Sequence, residues 1–220
     1  MLRANIKSHI IKDYIKIIFL ALIIGFVLRA FVVSAYRIPS DSMEDSLLSG
    51  DFVLVNKLSV HFNDLAPGDV VVFKYPLNPE KTFIKRCIAT EGQTVQIKNK
   101  VLYVDGVVSQ NPEWENYTDP NIIPEQYSTR DNFGPYQVPK GQIFVLGDNR
   151  DKSSDSRFWG FLEKRYIIGQ PIVIYWSWEQ DPDAPKFESP YITPLIYMFF
   201  YYIVHIPTNV RWSRIGETVA

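Results

Sequence analysis

A chain of 220 residues accommodates one domain, or one domain with a small insertion and an anchor, and 46% apolar residues are ample for a core. Lys plus Arg (23) against Asp plus Glu (24) leaves a formal charge of −1, which argues against a nucleic-acid binder, since that class shows a basic excess. The single cysteine, Cys87, excludes an intramolecular disulfide, a CxxC redox pair and a zinc knuckle, and the scattered His9, His61 and His205 make a histidine-rich metal site unexpected. GxSxG, GxGxxG and GxGxxGxV are all absent, so nucleophile-elbow hydrolases, Rossmann enzymes and protein kinases lose support.

At the N-terminus Arg3, Lys7, Lys12 and Lys16 precede an apolar run from Ile17, which Arg29 interrupts and Ala30–Ala35 continues. As a helix rising ~1.5 Å per residue, Ile17–Ala35 reaches about 28 Å, enough to cross a bilayer core. The positive flank places residues 1–16 in the cytoplasm and everything after Tyr36 outside an inner membrane. A cleaved secretory signal is the alternative, because Val33-Ser34-Ala35 looks like a small-residue cleavage site. The anchor is preferred, since a chemistry-bearing motif begins directly after the helix. Arg29, near the outer end, can snorkel to the headgroups.

After Tyr36 the pattern becomes short runs rich in Val, Ile, Phe and Tyr: Phe52–Leu58, Val70–Tyr75, Phe83–Thr90, Thr94–Lys98, Val101–Val104, Ile143–Leu146 and Ile167–Trp178. Asp105-Gly106 is a type I′ hairpin signal, and Pro67-Gly68-Asp69 and Lys140-Gly141 punctuate the runs as turns. The fold class is mostly β, an antiparallel ectodomain over residues 36–220 with a loop-rich insertion at about 99–139. From Gln110 to Pro139 the sequence is polar, rich in Pro, Asn and Asp, and reads as loop. Pro194–Pro207 encloses an apolar, aromatic stretch too short to span a bilayer alone; it reads as buried core, as an interfacial membrane-facing segment, or as a second span.

No histidine adjoins a plausible nucleophile, which makes a Ser-His-Asp triad improbable and leaves a Ser-Lys pair. A lysine base must be desolvated to be neutral near pH 7, so a lysine among apolar neighbours on a buried strand is the candidate. Lys85 follows Phe83-Ile84 in such a run; alternation puts Phe83, Lys85 and Cys87 on one face and Ile84, Arg86 and Ile88 on the other. Lys85 then points into an apolar pocket while Arg86 points away, toward a carboxylate. Candidate serines cluster in Ile38-Pro39-Ser40-Asp41-Ser42-Met43. A third stretch, Gly147–Gly160 (GDNRDKSSDSRFWG), is dense in the Asp, Arg, Asn and Ser that build a fixed hydrogen-bonded loop.

With the anchor, IPSDSM, GDVVVFKYP (Gly68–Pro76), FIKR (Phe83–Arg86), GDNRDKSSDSRFWG and RWSRIG (Arg211–Gly216) resemble the bacterial type I (leader) signal peptidases, serine-lysine dyad proteases, and stand in that family's order. The resemblance implies Ser42 as nucleophile, Lys85 as general base, and Ser153 as the hydroxyl that orients the lysine. It implies that Ser40 joins the Ser42 N–H in an oxyanion hole. Asp155 and Arg157 match a loop-stiffening ion pair, with Arg86 and Asp148 as further supports. Ile38, Pro39, Met43, Phe83 and Ile84 match the walls of shallow substrate pockets. The implied activity is removal of signal peptides from exported preproteins after small residues at −1 and −3, with no cofactor or metal. The implied partners are preprotein signal peptides at the membrane, the lipid bilayer and the export machinery, and no nucleic acid.

Two departures stand out. Asp45 and Ser46 replace the family's usual proline and threonine after the nucleophile, and the short region between FIKR and GDNR implies a small cap-like β-domain. A self-cleaving Ser-Lys repressor-type protease would carry a DNA-binding or soluble domain in place of the anchor. Penicillin-binding proteins need SxxK, which is absent. The non-enzyme alternative is an inactive or binding-only membrane-tethered β domain of the same family.

Overall fold

The computed structural model describes residues 2–62, 64–109, 114–179, 181, 184–185 and 192–219. Helix α1 (Leu2–Val27) runs into a π-helical turn (Leu28–Val32) and passes without a loop into strand β1 (Val33–Arg37). The strands that follow are β2 (Asp51–Asn56), β3 (Val70–Lys74), β4 (Thr82–Thr90), β5 (Thr94–Lys98), β6 (Val101–Val104), β7 (Val107–Val108), β8 (Phe133–Gln137), β9 (Gln142–Leu146), β10 (Leu162–Glu163) and β11 (Ile167–Ser177). Short helices α2 (Ser59–Phe62) and α3 (Ser156–Trp159) lie between strands, and α4 (Ile192–Asn209) follows β11.

The strands form a seven-stranded sheet, β1-β2-β11-β3-β4-β9-β10, and a four-stranded sheet, β7-β6-β5-β8, all neighbours antiparallel. Strand β11 joins the two halves of the larger sheet: Ile167–Gly169 pair with β3 and Gln170–Ser177 with β2, with register shifts that bend it. One core (Ile38, Met43, Leu47, Val53, Val55, Val70, Val72, Ile84, Ile174) lies beneath the segment after β1. A second (Val71, Phe73, Cys87, Ile143, Val145, Leu162, Ile167) packs on the opposite face of β3 and β4. A third (Ile88, Ala89, Val95, Ile97, Leu102, Val138, Phe144, Leu146) glues the small sheet to the large one. Antiparallel strands with alternating apolar residues bury one face against a partner layer, which is what these clusters do.

Three expectations are corrected. The helix does not continue to Ala35: Val33, Ser34 and Ala35 pair with Asn56, Val55 and Leu54, because the ladder offered by β2 satisfies their backbone groups in an extended conformation. The helix also extends back to Leu2 without a break at residue 16, and its candidate span is Lys12–Val32, with mean hydropathy 2.5. Within the stretch read as loop, Phe133–Gln137 forms β8 against β5, bringing Phe133 onto Phe144, with ring centroids 5.1 Å apart. Gln110–Glu113, in the same stretch, lie outside the described residues. The Asp105-Gly106 turn adopts φ 52° and 77°, the left-handed pair a type I′ hairpin demands.

The Pro194–Pro207 stretch lies within α4. Tyr197, Phe199, Phe200, Tyr202, Ile203 and Val204 are exposed, Met198, Tyr201 and His205 are half-buried, and none of its described side chains is buried, which runs against the buried-core reading.

Candidate active site

The segment after β1 is fixed at both ends. Ile38 N–H donates to the Asp51 carbonyl at 2.8 Å, and Gly50 N–H returns to the Ile38 carbonyl at 2.9 Å. Between them Ser40 is extended and Asp41–Met43 make one 3-10 turn, with Met43 and Leu47 as apolar plugs in the core below. Ser42 is thereby carried at the rim of the sheet, 8% exposed. Asp45 has φ 84°, a conformation a proline ring cannot take, so the turn differs in backbone from one carrying the usual proline.

Lys85 lies in β4 opposite Val71, 4% exposed, and its Nζ is 2.6 Å from Ser42 Oγ. Phe83, stacked on Tyr75 at 4.4 Å between centroids, presents its ring 5.7 Å from the same nitrogen. Burial pushes the Lys85 ammonium down to about 8, against the opposing pull of Asp155 and Asp148, while Arg157 adds to the depression. A buried amine of lowered basicity within hydrogen-bond distance of a serine hydroxyl has the geometry for proton exchange between the two. Ser40 Oγ lies 3.4 Å from Ser42 Oγ.

Arg86, next in the strand, turns the other way. Its guanidinium grips both Asp148 oxygens at 2.9 and 2.8 Å, donates to the Gly68 carbonyl at 2.7 Å and Ser46 Oγ at 3.1 Å, and lies 4.4 Å over the Trp114 ring. In the loop after β9, Asp155 caps α3. Its oxygens accept from Arg157 Nε and Nη2, each at 2.8 Å, and from Gly147 N–H at 3.1 Å. Burial alone would raise the Asp155 carboxyl; the Arg157 charge and the hydrogen bonds overcome it and hold the group below its ordinary range. Arg157 spends its remaining donors on the Arg130 and Arg150 carbonyls. Ser153 is buried and its hydroxyl makes no hydrogen bond of good geometry, to Lys85 or to another group. It lies near enough to Asp155 to help lower that carboxyl. A Cβ on Gly147 would stand 2.3 Å from Ser153 Oγ and 2.4 Å from the Ser42 carbonyl, so only glycine fits where the loop crosses the nucleophile.

A cleft of about 320 Å³ opens on the pair, walled by Pro39, Ser40, Ser42, Thr82, Phe83, Ile84, Lys85, Lys152 and Ser154. A smaller cavity of about 80 Å³ adjoins it, lined by Tyr36, Arg37, Ile38, Pro39, Val72, Thr82, Phe83 and Ile84. Among the described residues no group of His, Cys, Asp or Glu is arranged to hold a metal ion.

A family model described as signal peptidase, peptidase S26, matches residues 11–176. The probable signal peptidase I-1 of Synechocystis sp. is 41% identical over 169 residues, 74% of this chain and 81% of that protein. The signal peptidase I of Aquifex aeolicus is 34% identical, with 94% of this chain and 97% of that protein covered.

The chain belongs to the signal peptidase, peptidase S26, family.

It is therefore a serine peptidase of bacterial type. A crystal structure of a signal peptidase I from Enterococcus faecalis aligns with 49% of this chain and 97% of its own, at 27% identity and TM-score 0.36. Of the residues singled out in the sequence as belonging to this family's site, Ser40, Ser42 and Lys85 meet in the cleft, and Pro39, Phe83 and Ile84 wall it. Ile38 lines only the smaller cavity. Met43 lines neither: it is fully buried beneath the turn, where it anchors Ser42 from below. Arg86 pairs with Asp148 and Asp155 with Arg157, on either side of Lys85 in the chain's folding. Sequence reasoning missed Gly147, Asn149, Glu44 and Trp114. The GDNR run held the signal for the first two, but what they touch depends on the crossing of two loops distant in sequence.

Proposed function

We propose that Ser42 and Lys85 are the dyad with which this serine peptidase removes signal peptides from exported preproteins. The observation that carries this reading is a buried lysine of depressed basicity 2.6 Å from a serine at the floor of a cleft. Neutral Lys85 takes the Ser42 proton as Oγ attacks the scissile carbonyl, and the Ser42 N–H with the Ser40 hydroxyl stabilises the tetrahedral oxyanion. Lys85 then protonates the leaving amine, and a water deprotonated by Lys85 hydrolyses the acyl-enzyme. Ser153, buried without a hydrogen bond to Lys85 and close to Asp155, is assigned no step in this reading. The Arg86–Asp148 and Arg157–Asp155 pairs hold the strand and loop that carry Lys85 and Ser153.

An extended peptide presents alternate side chains to one face. Laid along Pro39 and Thr82–Ile84, which both cavities share, it places −1 in the cleft at Ser42 and −3 in the smaller cavity. That second space, about 80 Å³, holds only a few water-sized groups, which supports small residues at −3. Ile38, Pro39, Phe83 and Ile84 contact the substrate, and Met43 supports them from the core.

Residues 12–32 anchor the enzyme in the inner membrane, the N-terminus cytoplasmic and the domain after β1 outside, where translocated signal peptides emerge and the export machinery delivers them. Lys12 and Lys16 on one flank and the apolar length of α1 support this topology. The exposed aromatic face of α4, with no charged residue from Ile192 to Val210, lies in the interface beside that anchor. Cleavage of a model preprotein by the purified full-length protein, with Ser42→Ala alongside, tests the reading. Loss of a single hydroxyl should abolish processing while circular dichroism stays unchanged, and residual turnover above a few per cent would remove Ser42 as nucleophile.

A further inference from the structure

Between Ser42 and Ser49 the chain has no proline, and Asp45 holds a left-handed backbone at φ 84°. No proline ring stiffens this turn; its own backbone bonds are Glu44 N–H to the Asp41 carbonyl at 3.1 Å and Leu47 N–H to the Met43 carbonyl at 2.7 Å. It is held from the side by Asn149, which is fully buried. The Asn149 N–H donates to the Ser42 carbonyl at 3.2 Å, its Nδ2 donates to Glu44 Oε2 at 2.8 Å, and its Oδ1 accepts the Lys152 N–H at 3.1 Å. The residue before it, Asp148, is locked to Arg86, the immediate neighbour of Lys85. One asparagine therefore connects the nucleophile's turn, the loop leading to Ser153 and, through Asp148, the strand of the base.

We propose that Glu44 is a positioning residue, whose carboxylate clamps the nucleophile's turn to Asn149 and so keeps Ser42 Oγ in bonding reach of Lys85 Nζ. The proposal rests on the reading of Ser42 and Lys85 as the dyad. Glu44 is the only side chain of the turn that Asn149 bonds among the described residues. Lys152 Nζ, 3.9 Å from Glu44 Oε2, is beyond hydrogen-bond range and does not substitute for it. Without the carboxylate, Asn149 Nδ2 becomes a buried donor with no acceptor. Of the two bonds from Asn149 to the residues at the nucleophile, only the 3.2 Å backbone bond to the Ser42 carbonyl then remains, while the bonds to Ser46 and the packing of Met43 and Leu47 hold the far side of the turn. A proton transfer from Oγ to Nζ requires close contact, so a loosened turn slows chemistry rather than substrate capture. The carboxylates that act on Lys85 are Asp155 and Asp148, not Glu44, so the clamp works by geometry and leaves the base's titration alone.

The test compares full-length wild type, Glu44→Ala, Glu44→Gln, Glu44→Asp and Ser42→Ala in detergent on one synthetic peptide spanning a signal-peptide cleavage site. Glu44→Ala should lower kcat roughly 10- to 100-fold, the scale of one hydrogen bond to a charged group. KM should stay within about twofold and the pH midpoint of the rate unchanged, as expected for an interaction expressed in the chemical step. Glu44→Gln, whose amide oxygen still accepts from Asn149, should recover most of the rate. Glu44→Asp keeps the charge but withdraws the acceptor by one methylene, so it should behave as Glu44→Ala and serves if that variant does not fold. Wild-type kcat in Glu44→Ala or Glu44→Asp, a loss confined to KM, or a Gln variant as impaired as Ala would overturn the clamp. Residual activity in Ser42→Ala would overturn the dyad instead, so the two failures are distinguishable.

Discussion

Replacing Lys85 with arginine separates the charge of that side chain from its capacity to be neutral. In the folded chain the ammonium is pushed from its ordinary 10.5 down to about 8, burial being the main cause. At pH 7 that leaves about a tenth of the amines neutral, roughly 300-fold more than an unperturbed lysine offers. A guanidinium stays protonated throughout, so Lys85→Arg should be as inactive as Lys85→Ala, although it keeps a cation between Phe83 and Ser42. Wild-type processing should climb about tenfold per pH unit below 8 and level off above it. The same shift predicts stability with a definite sign. The unfolded chain binds this proton more tightly than the folded one, so stability rises with pH between about 8 and 10.5, and the penalty is fully present below 8. Lys85→Met, which has no charge to bury, should therefore be inactive yet more stable at pH 7, by at most about 3 kcal/mol. Its advantage should vanish as the pH approaches 10.5. Peptide cleavage across pH 6–10, with thermal melts of each variant, reads all of this. Substantial turnover by Lys85→Arg, or a rate that is flat from pH 6 to 9, would refute the argument.

Asp148→Asn should strip the buried Arg86 of its bidentate partner and cost about 3–5 kcal/mol, read as a lowered midpoint in urea denaturation. An Asn variant as stable as wild type would mean that Trp114 and the Gly68 carbonyl suffice for the guanidinium. Gly147→Ala places a methyl 2.4 Å from the Ser42 carbonyl and 2.3 Å from Ser153 Oγ, and should cost more than tenfold in kcat by displacing both. Wild-type turnover in this variant would show that the crossing has slack. Removal of residues 1–31 should leave a folded domain, whereas removal of 1–35 deletes three of the five residues of β1 and their pairs with Asn56, Val55 and Leu54. The longer truncation should melt at lower temperature, and equal melting temperatures would show that the edge strand adds nothing.

The strands around Lys85 were legible because their residues alternate between two buried faces. Val70–Lys74 and Thr82–Thr90 read as β from Val, Ile and Phe alone, and the parity of Lys85 against Arg86 already turned one into a buried pocket and the other toward a carboxylate. The end of the N-terminal helix was not legible. Val33, Ser34 and Ala35 carry no helix breaker after the apolar run, and only the distant β2 decides that they pair as strand. Phe133–Gln137 was hidden for the opposite reason: its Gly134 and Pro135 look like a turn, and its strand character comes from Val95 and Ile97 across the ladder. Met43 shows how an apolar residue beside a nucleophile is ambiguous in sequence, since wall and support have the same composition. Asn149 and Glu44 are polar residues on what reads as surface loop, and their meeting is a property of tertiary crossing, not of spacing.

The two ion pairs near Lys85 also explain how a lysine can lose its proton with carboxylates close by. Asp155 and Asp148 both pull the Lys85 pKa upward, against its burial. Each is already committed: Asp155 to Arg157 through two 2.8 Å bonds and Asp148 to Arg86 through bonds of 2.9 and 2.8 Å. Arg157 itself lowers the Lys85 pKa, offsetting part of the pull of its partner Asp155, and desolvation decides the outcome. The two pairs also fix the strand that carries Lys85 and the loop that carries Ser153. Buried ion pairs add little to stability when weighed against apolar packing. Here their retention follows from the chemistry, because a hydrophobic substitute for either pair would leave the backbone carbonyls of Gly68, Arg130 and Arg150 without the donors they now have.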